Sequence, residues 1–258
     1  VILGATTYSF RDMPLDATLK AMVEIGLSYC EFFEGHAQPP KQETETWQQY
    51  AQRMREWRKT APLDEFRRIR AQFNDAGIIL WSLTHAPQPD ETDEEIARSF
   101  EIAATLGVKY MFASSLVSMA KRLEPFAAKY KIPVAMHNHS NLRPDEMARP
   151  EDFAEALRGN PHIGINLDIG HFVAAGYDPV GFIEKHHARI YGLHIKDRKK
   201  NQGENFPLGE GDTPVKEVLQ LLKTRKFAIP ALIEYEYRGA NTVDEVKRCY
   251  EYMKRVVA

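Results

Sequence analysis

The sequence predicts an α/β protein of one domain, a (β/α)8 barrel. Three observations predict it. Eight short apolar runs alternate with eight helix-patterned runs along 258 residues. No low-complexity stretch or linker divides them. Neither G-x-G-x-x-G nor G-x-x-x-x-G-K-[ST] follows the first run, as would be expected of an open nucleotide-binding sheet. Periodicity does not report closure, so an open doubly wound sheet is the alternative.

Taken in order, residues 1–6 (VILGAT) are the first strand and 7–12 a polar loop. Leu15, Leu19, Met22 and Ile25 recur at helical spacing, and Gly26 stops that helix. Residues 29–36 (YCEFFEGH) are the second strand. A polar insertion at about 37–60, with Trp47, Tyr50, Met54 and Trp57 at helical intervals, delays the next unit and is placed to act as a lid. A helix over 63–75 precedes the third strand, 78–85 (IILWSLTH), and a helix over 92–106 the fourth, 109–113 (KYMFA). A helix over 116–130 leads to the fifth, 132–139 (IPVAMHNH), and a short one over 150–157 to the sixth, which runs from Ile163 to Asp168 and continues to His171 (IGINLDIGH). A helix over 179–187 precedes the seventh, 189–197 (RIYGLHIKD). A glycine-bearing loop ending in PLGEGD and a helix over 215–223 lead to the eighth, 229–236 (IPALIEYE); a helix over 242–257 closes the chain.

Composition bounds the partners. The chain is 43% hydrophobic and 27% charged with a net charge of −2, which gives no electrostatic footprint for nucleic acid or anionic membrane and favours a small polar ligand. Cys30 and Cys249 form no CxxC pair, so they read as buried free thiols. No apolar run reaches the roughly 20 residues of a membrane span. The expected compartment is the cytoplasm, although the chain begins at Val1 and an export signal ahead of it stays open. Assembly into a homo-oligomer is compatible with this reading.

In such a barrel, chemistry sits at the C-terminal ends of the strands. Six of the nine histidines fall there. The candidates are Glu34 and His36, His85, His137 and His139, Asp168 and His171, His194 and Lys196, and Glu234 and Glu236. Imidazole and carboxylate together suit a divalent metal ion such as Mn, Co, Mg or Zn, and strands five to eight can each supply a ligand. Residues two apart share a strand face, so one member of each pair can reach the metal and the other the substrate. Glu31 reads as structural or solvated, and His162, His186 and His187 as surface residues beside helix ends.

The runs NLDIGH, LHIKD, PLGEGD and IEYE resemble the xylose-isomerase-like barrel superfamily, in its sugar phosphate isomerase/epimerase branch. That superfamily contains sugar isomerases and epimerases, inosose dehydratases, dehydroshikimate dehydratases and endonuclease IV. The resemblance implies a divalent metal on a strand-five Glu, a strand-six Asp, a strand-seven His and a strand-eight Glu. The last three match Asp168, His194 and Glu234, while His137 stands in the Glu position. It further implies enolisation of a keto- or aldo-sugar, with Glu234, Lys196 and His171 as acid/base groups and Glu34, His36, His85, His139 and Glu236 contacting the substrate. Loss of one carboxylate base makes a lyase or dehydratase acting on a keto-sugar or cyclic polyol the rival. An endonuclease IV-like nuclease and a non-catalytic sugar-binding protein stand behind both.

Overall fold

Alternation within each strand decides what the barrel holds inside. In IGINLD, Ile163, Ile165 and Leu167 join the main apolar core against the helices, while Asn166 reaches the central pocket and Asp168 the acidic and basic groups beside it. The computed structural model describes residues 1–258. Its strands are β1 (Leu3–Thr6), β2 (Tyr29–Phe33), β3 (Ile79–His85), β4 (Tyr110–Ala113), β5 (Val134–His137), β6 (Ile163–Asp168), β7 (Ile190–Ile195), a ribbon of β8 (Asp197–Arg198) with β9 (Asn205–Phe206), and β10 (Ala231–Ile233). All but the ribbon pair in parallel in one closed barrel, and the ring shuts where Leu3, Gly4 and Ala5 pair with Ala231, Leu232 and Ile233. That closure rules out the open sheet.

The helices are α1 (Leu15–Ile25), α2 (Trp47–Thr60), α3 (Leu63–Asp75), α4 (Asp93–Leu106), α5 (Met119–Tyr130), α6 (Pro150–Leu157), α7 (Ile169–Ala174), α8 (Pro179–His186), α9 (Val215–Arg225) and α10 (Thr242–Val257). None is long and apolar enough to cross a membrane. Helices α2 and α4 start at capping boxes, Thr46 with Gln49 and Thr92 with Glu95. Two features depart from the expected pattern. The run after Asp168 turns straight into α7, because the Asp168 carboxylate accepts from the His171 amide at 2.7 Å and caps it. The strand over 189–197 breaks after Ile195, and the following residues form the ribbon.

Two register shifts shape the lower barrel. Cys30 pairs with Leu80 but Glu31 with Ser82, and Ile165 pairs with Ile190 but Asn166 with Gly192. Trp81 and Tyr191 are the extra residues, and each bulge re-aims its ring. With Tyr29 and Tyr110 they surround a small apolar group of Phe112, Ala135 and Leu232. Tyr110 stacks on Tyr191 at 4.5 Å, and the Trp81 indole donates to the Tyr191 carbonyl at 2.7 Å. Room for these rings comes from glycine: a Cβ on Gly164 would sit 2.2 Å from the Tyr191 ring, and one on Gly192 2.6 Å from Phe112.

Candidate functional site

Above the aromatic layer, strands β1 to β7, together with Lys196, Glu234 and Glu236 just past the ends of β7 and β10, line a pocket of about 360 Å³. Most of the candidate side chains meet in it. His137, His139, His171, His194, Lys196, Glu234 and Glu236 line its wall, and Asp168 lies fully buried beside them, with Oδ2 3.2 Å from Lys196 Nζ.

Each of two imidazoles is held by one ring nitrogen. His194 Nε2 donates to Glu31 Oε2 at 2.5 Å, and Glu31 is further fixed by the Thr84 hydroxyl, which donates to Oε1 at 2.5 Å. His137 Nδ1 donates to Asn166 Oδ1 at 2.8 Å, while the Asn166 amide donates to the Gly192 carbonyl at 3.3 Å. The remaining nitrogens, His194 Nδ1 and His137 Nε2, are left for other partners. A buried carboxylate behind a histidine is how metal-ligating imidazoles are oriented. Asn138 completes the frame: its side chain accepts from the Asp168 amide at 2.9 Å and donates to the Asp168 carbonyl at 3.1 Å, extending the β5–β6 pairing past the end of β5.

The charges are unevenly matched. Lys196, almost fully buried, lies 2.7 Å from Glu234 and 2.6 Å from Glu236. Burial opposes its charge, but the surrounding carboxylates of Asp168, Glu234 and Glu236 override this and hold the ammonium above the ordinary lysine range. His194 behaves alike: burial disfavours its charge, while Glu31 and Glu234 raise it well above the usual histidine value, so a metal at Nδ1 would displace a proton. Burial would raise Glu234, yet Lys196 and His194 hold it well below the carboxylate range. For Asp168 burial wins over Lys196 and the carboxyl is raised. His171 is pushed well below the usual histidine range by burial and by Lys196. Arg198 donates to its Nδ1 at 2.6 Å and Lys196 Nζ lies 3.1 Å from its Nε2, so cations flank both ring nitrogens and keep the ring neutral.

Three buried atoms receive no well-aligned hydrogen bond: Asp168 Oδ2, His194 Nδ1 and Glu234 Oε2. Lys196 Nζ, 3.2 Å from Asp168 Oδ2 and 2.7 Å from Glu234 Oε2, offsets the two carboxylates without completing their hydrogen bonding. The donor atoms of His137, Asp168 and His194 lie within 4.8 Å of one another, and Glu234 Oε2 is 3.4 Å from His194 Nδ1. Two imidazole nitrogens and two carboxylate oxygens are a donor set that suits a divalent transition metal. These residues could therefore hold one. His137, His139 and His171 also cluster, but Arg198 donates to His171 Nδ1 and that trio includes no carboxylate to offset a cation.

Glu34, His36 and His85 stand outside the pocket. Glu34 turns away at the end of β2 and is clamped by Arg58 at 2.5 Å. His36 Nε2 meets the Thr7 carbonyl at 3.0 Å, and His85 faces the buried Glu91 at 3.7 Å. Strand alternation explains the last: Thr84, not its neighbour His85, reaches the pocket. Glu31, read from sequence as structural or solvated, is instead on the pocket wall and tied to His194. Arg198, Thr84 and Asn166 also went unseen. Each lies two residues from a candidate or wall residue, a period-two signal that could have found them. The Asp of LHIKD is structural, since the Asp197 carboxylate accepts from the amides of Gly209, Gly211 and Thr213 at 2.8 to 3.0 Å and fixes the PLGEGD loop.

A closed eight-stranded barrel with a buried imidazole and carboxylate cluster near the strand ends defines the class, and the comparisons agree. The xylose isomerase-like TIM barrel model matches residues 55–256, and the chain belongs to that family. No curated protein matches it by sequence. Among solved structures it is similar to a probable 3-DHS dehydratase, AsbF, from Bacillus anthracis, at 17% identity and TM-score 0.74 over 98% of this chain and 99% of that one. It is also similar to a sugar phosphate isomerase/epimerase from Parabacteroides distasonis, at 20% identity and TM-score 0.69 over 97% and 94%. A third is an IOLI protein with a bound zinc atom, at 18% identity and TM-score 0.74 over 100% and 98%.

Proposed function

We propose that this chain is a divalent-metal-dependent enzyme that isomerises or epimerises a keto- or aldo-sugar by enolisation. The observation that carries the reading is the convergence of Asp168 Oδ2, His194 Nδ1 and Glu234 Oε2, buried atoms that meet only the Lys196 ammonium or one another, beside a His137 ring anchored through its other nitrogen. These four residues would hold the metal. When bound, it polarises the sugar carbonyl and acidifies the adjacent C–H. Glu234, kept ionised, takes the proton from carbon as the electron pair moves to the carbonyl oxygen; its return to the other face of the same carbon epimerises the sugar, and its return to the neighbouring carbon isomerises it once the hydroxyl proton has moved from one oxygen to the other. Lys196 is held charged, so it donates to a substrate oxygen and stabilises the negative charge that develops. His171, neutral and oriented by Arg198 at Nδ1, would donate to the substrate through Nε2. His139 and Glu236, on the same wall, bind hydroxyl groups. The zinc named for the IOLI protein and the isomerase/epimerase named from Parabacteroides distasonis support this reading.

A second reading, elimination from a keto-sugar or cyclic polyol, is favoured by His137, which removes one of two opposed carboxylate bases, and by the dehydratase name of AsbF. Metal-loaded protein incubated with a panel of ketoses and aldoses in deuterated water separates them. Enolisation alone gives deuterium in a product of unchanged formula; elimination gives a product lighter by water or an aglycone. Absence of any label or product across the panel sinks both.

A further inference from the structure

Beside the pocket lies a second, larger cleft of about 790 Å³ between the ends of β1 and β2 and the inserted segment that leads into α2. The two share Tyr8 and Phe33, whose rings meet edge to face at 5.1 Å, so this aromatic pair is at once the pocket's wall and the cleft's floor. The far side carries Trp47 and Tyr50, edge to face at 6.0 Å. Trp47 is 74% exposed, and the other large apolar side chains left in water, Val1, Val23, Ile79 and Leu142, are aliphatic. An indole left in water at the mouth of a polar pocket is suited to stack on a ring. Polar groups stand around it: Gln38, which accepts from the Tyr50 hydroxyl at 3.2 Å, Lys41 and Arg11. Helix α2 is held firmly in place, since Arg58 pairs with Glu34 and Arg55 with Glu95 at 2.7 Å.

We propose that this cleft is a subsite for a second ring covalently attached to the reacting sugar through a hydroxyl other than the anomeric one, so that the substrate is a disaccharide with a free carbonyl end and not a monosaccharide. The inference rests on the enolisation reading for the identity of the first ring. One ring fills the pocket; the second crosses the Tyr8–Phe33 wall and lies on Trp47, with its polar groups toward Gln38, Lys41 and Arg11.

The test is calorimetric binding of glucose, galactose, mannose and xylose carrying a methyl, phenyl or glucosyl group on O4, with the anomeric carbon free to open to the aldehyde, to the metal-loaded protein, with deuterium exchange measured in parallel. For the sugar that binds, the phenyl or glucosyl member is expected to bind about tenfold more tightly than the methyl member, a gain typical of one aromatic stacking contact. In Trp47→Ala that ratio should fall to about one; the tryptophan is exposed, so folding is not at stake. O4-methyl sugars that bind and exchange with no gain from the second ring overturn the subsite and leave the enolisation reading standing. A second-ring gain that Trp47→Ala abolishes, without exchange in any of these reducing sugars, supports the subsite and counts against enolisation. A gain unaffected by Trp47→Ala, or no binding by any member, overturns the subsite.

Discussion

The histidine on β7 shows how one residue is oriented by another far away in the chain. His194 could present either ring nitrogen to the pocket, and Glu31, 163 positions earlier, decides by accepting from Nε2. Nδ1 is thereby turned toward Glu234. Under the proposed function, Glu31→Gln keeps the shape but removes the charge behind the ring, and Mn²⁺ affinity by calorimetry is expected to drop about 10- to 100-fold, as for other residues that support metal-bound imidazoles. Circular dichroism should show the barrel intact. Unchanged affinity would reduce Glu31 to a wall residue. Strand-end position made Asp168, His194 and Glu234 legible in the sequence. Glu31 was not, because it lies inside an apolar strand and its meaning depends on β2 facing β7 across a closed barrel, which no local pattern reports.

At the scale of the element, the insertion is the part whose behaviour its sequence disclosed least. The helical spacing of Trp47, Tyr50, Met54 and Trp57 was readable, yet only Met54 is buried along α2, so packing alone does not hold it. Ion pairs do. Arg58 reaches back to Glu34, and Arg55 with Lys59 reaches forward to Glu95. Thus Glu34, expected at the substrate, is the anchor of the helix. Burial would raise Glu34, but the Arg58 guanidinium beside it holds it below its ordinary 4.5, and the Arg55 hydrogen bonds do the same for Glu95. For carboxylates depressed in the folded state, the stabilisation is present above the unfolded value of about 4.5 and is lost as pH falls through the folded values. Acidification below the unfolded value of about 4.5 is therefore expected to loosen α2 progressively and before the barrel opens, whereas raising the pH should not. Hydrogen exchange resolved by peptide checks this: amides of residues 47–60 should lose protection at a higher pH than those of β5 to β7. Simultaneous loss would mean that the ion pairs are not what fastens the helix.

Across the whole molecule, one strand rule sets both stability and site. Alternation sends aliphatic side chains out to the helices and stacks the interior in layers, with Tyr29, Trp81, Tyr110 and Tyr191 at the strand beginnings, Phe112, Ala135 and Leu232 above them, and the charged pocket at the top. Eight apolar runs were enough to read the strand count. The lower layer was not readable, because two of its four rings point inward only through bulges, and register shifts leave no mark in composition. The layer also underlies the pocket, since Phe112, against which these rings pack, is one of the pocket's wall residues. Trp81 joins the two bulges through its hydrogen bond to the Tyr191 carbonyl and its contacts with Tyr29 and Tyr110 at 5.9 and 5.3 Å. Trp81→Ala removes the ring, the donor and the link at once, and a loss of about 3 kcal/mol in unfolding free energy is expected. Trp81→Phe, which restores the ring without the donor, should recover most of it. Urea denaturation followed by circular dichroism measures both variants. A Trp81→Ala protein as stable as the parent would show that the barrel is sealed from its helices alone, and that the bulges are incidental to it.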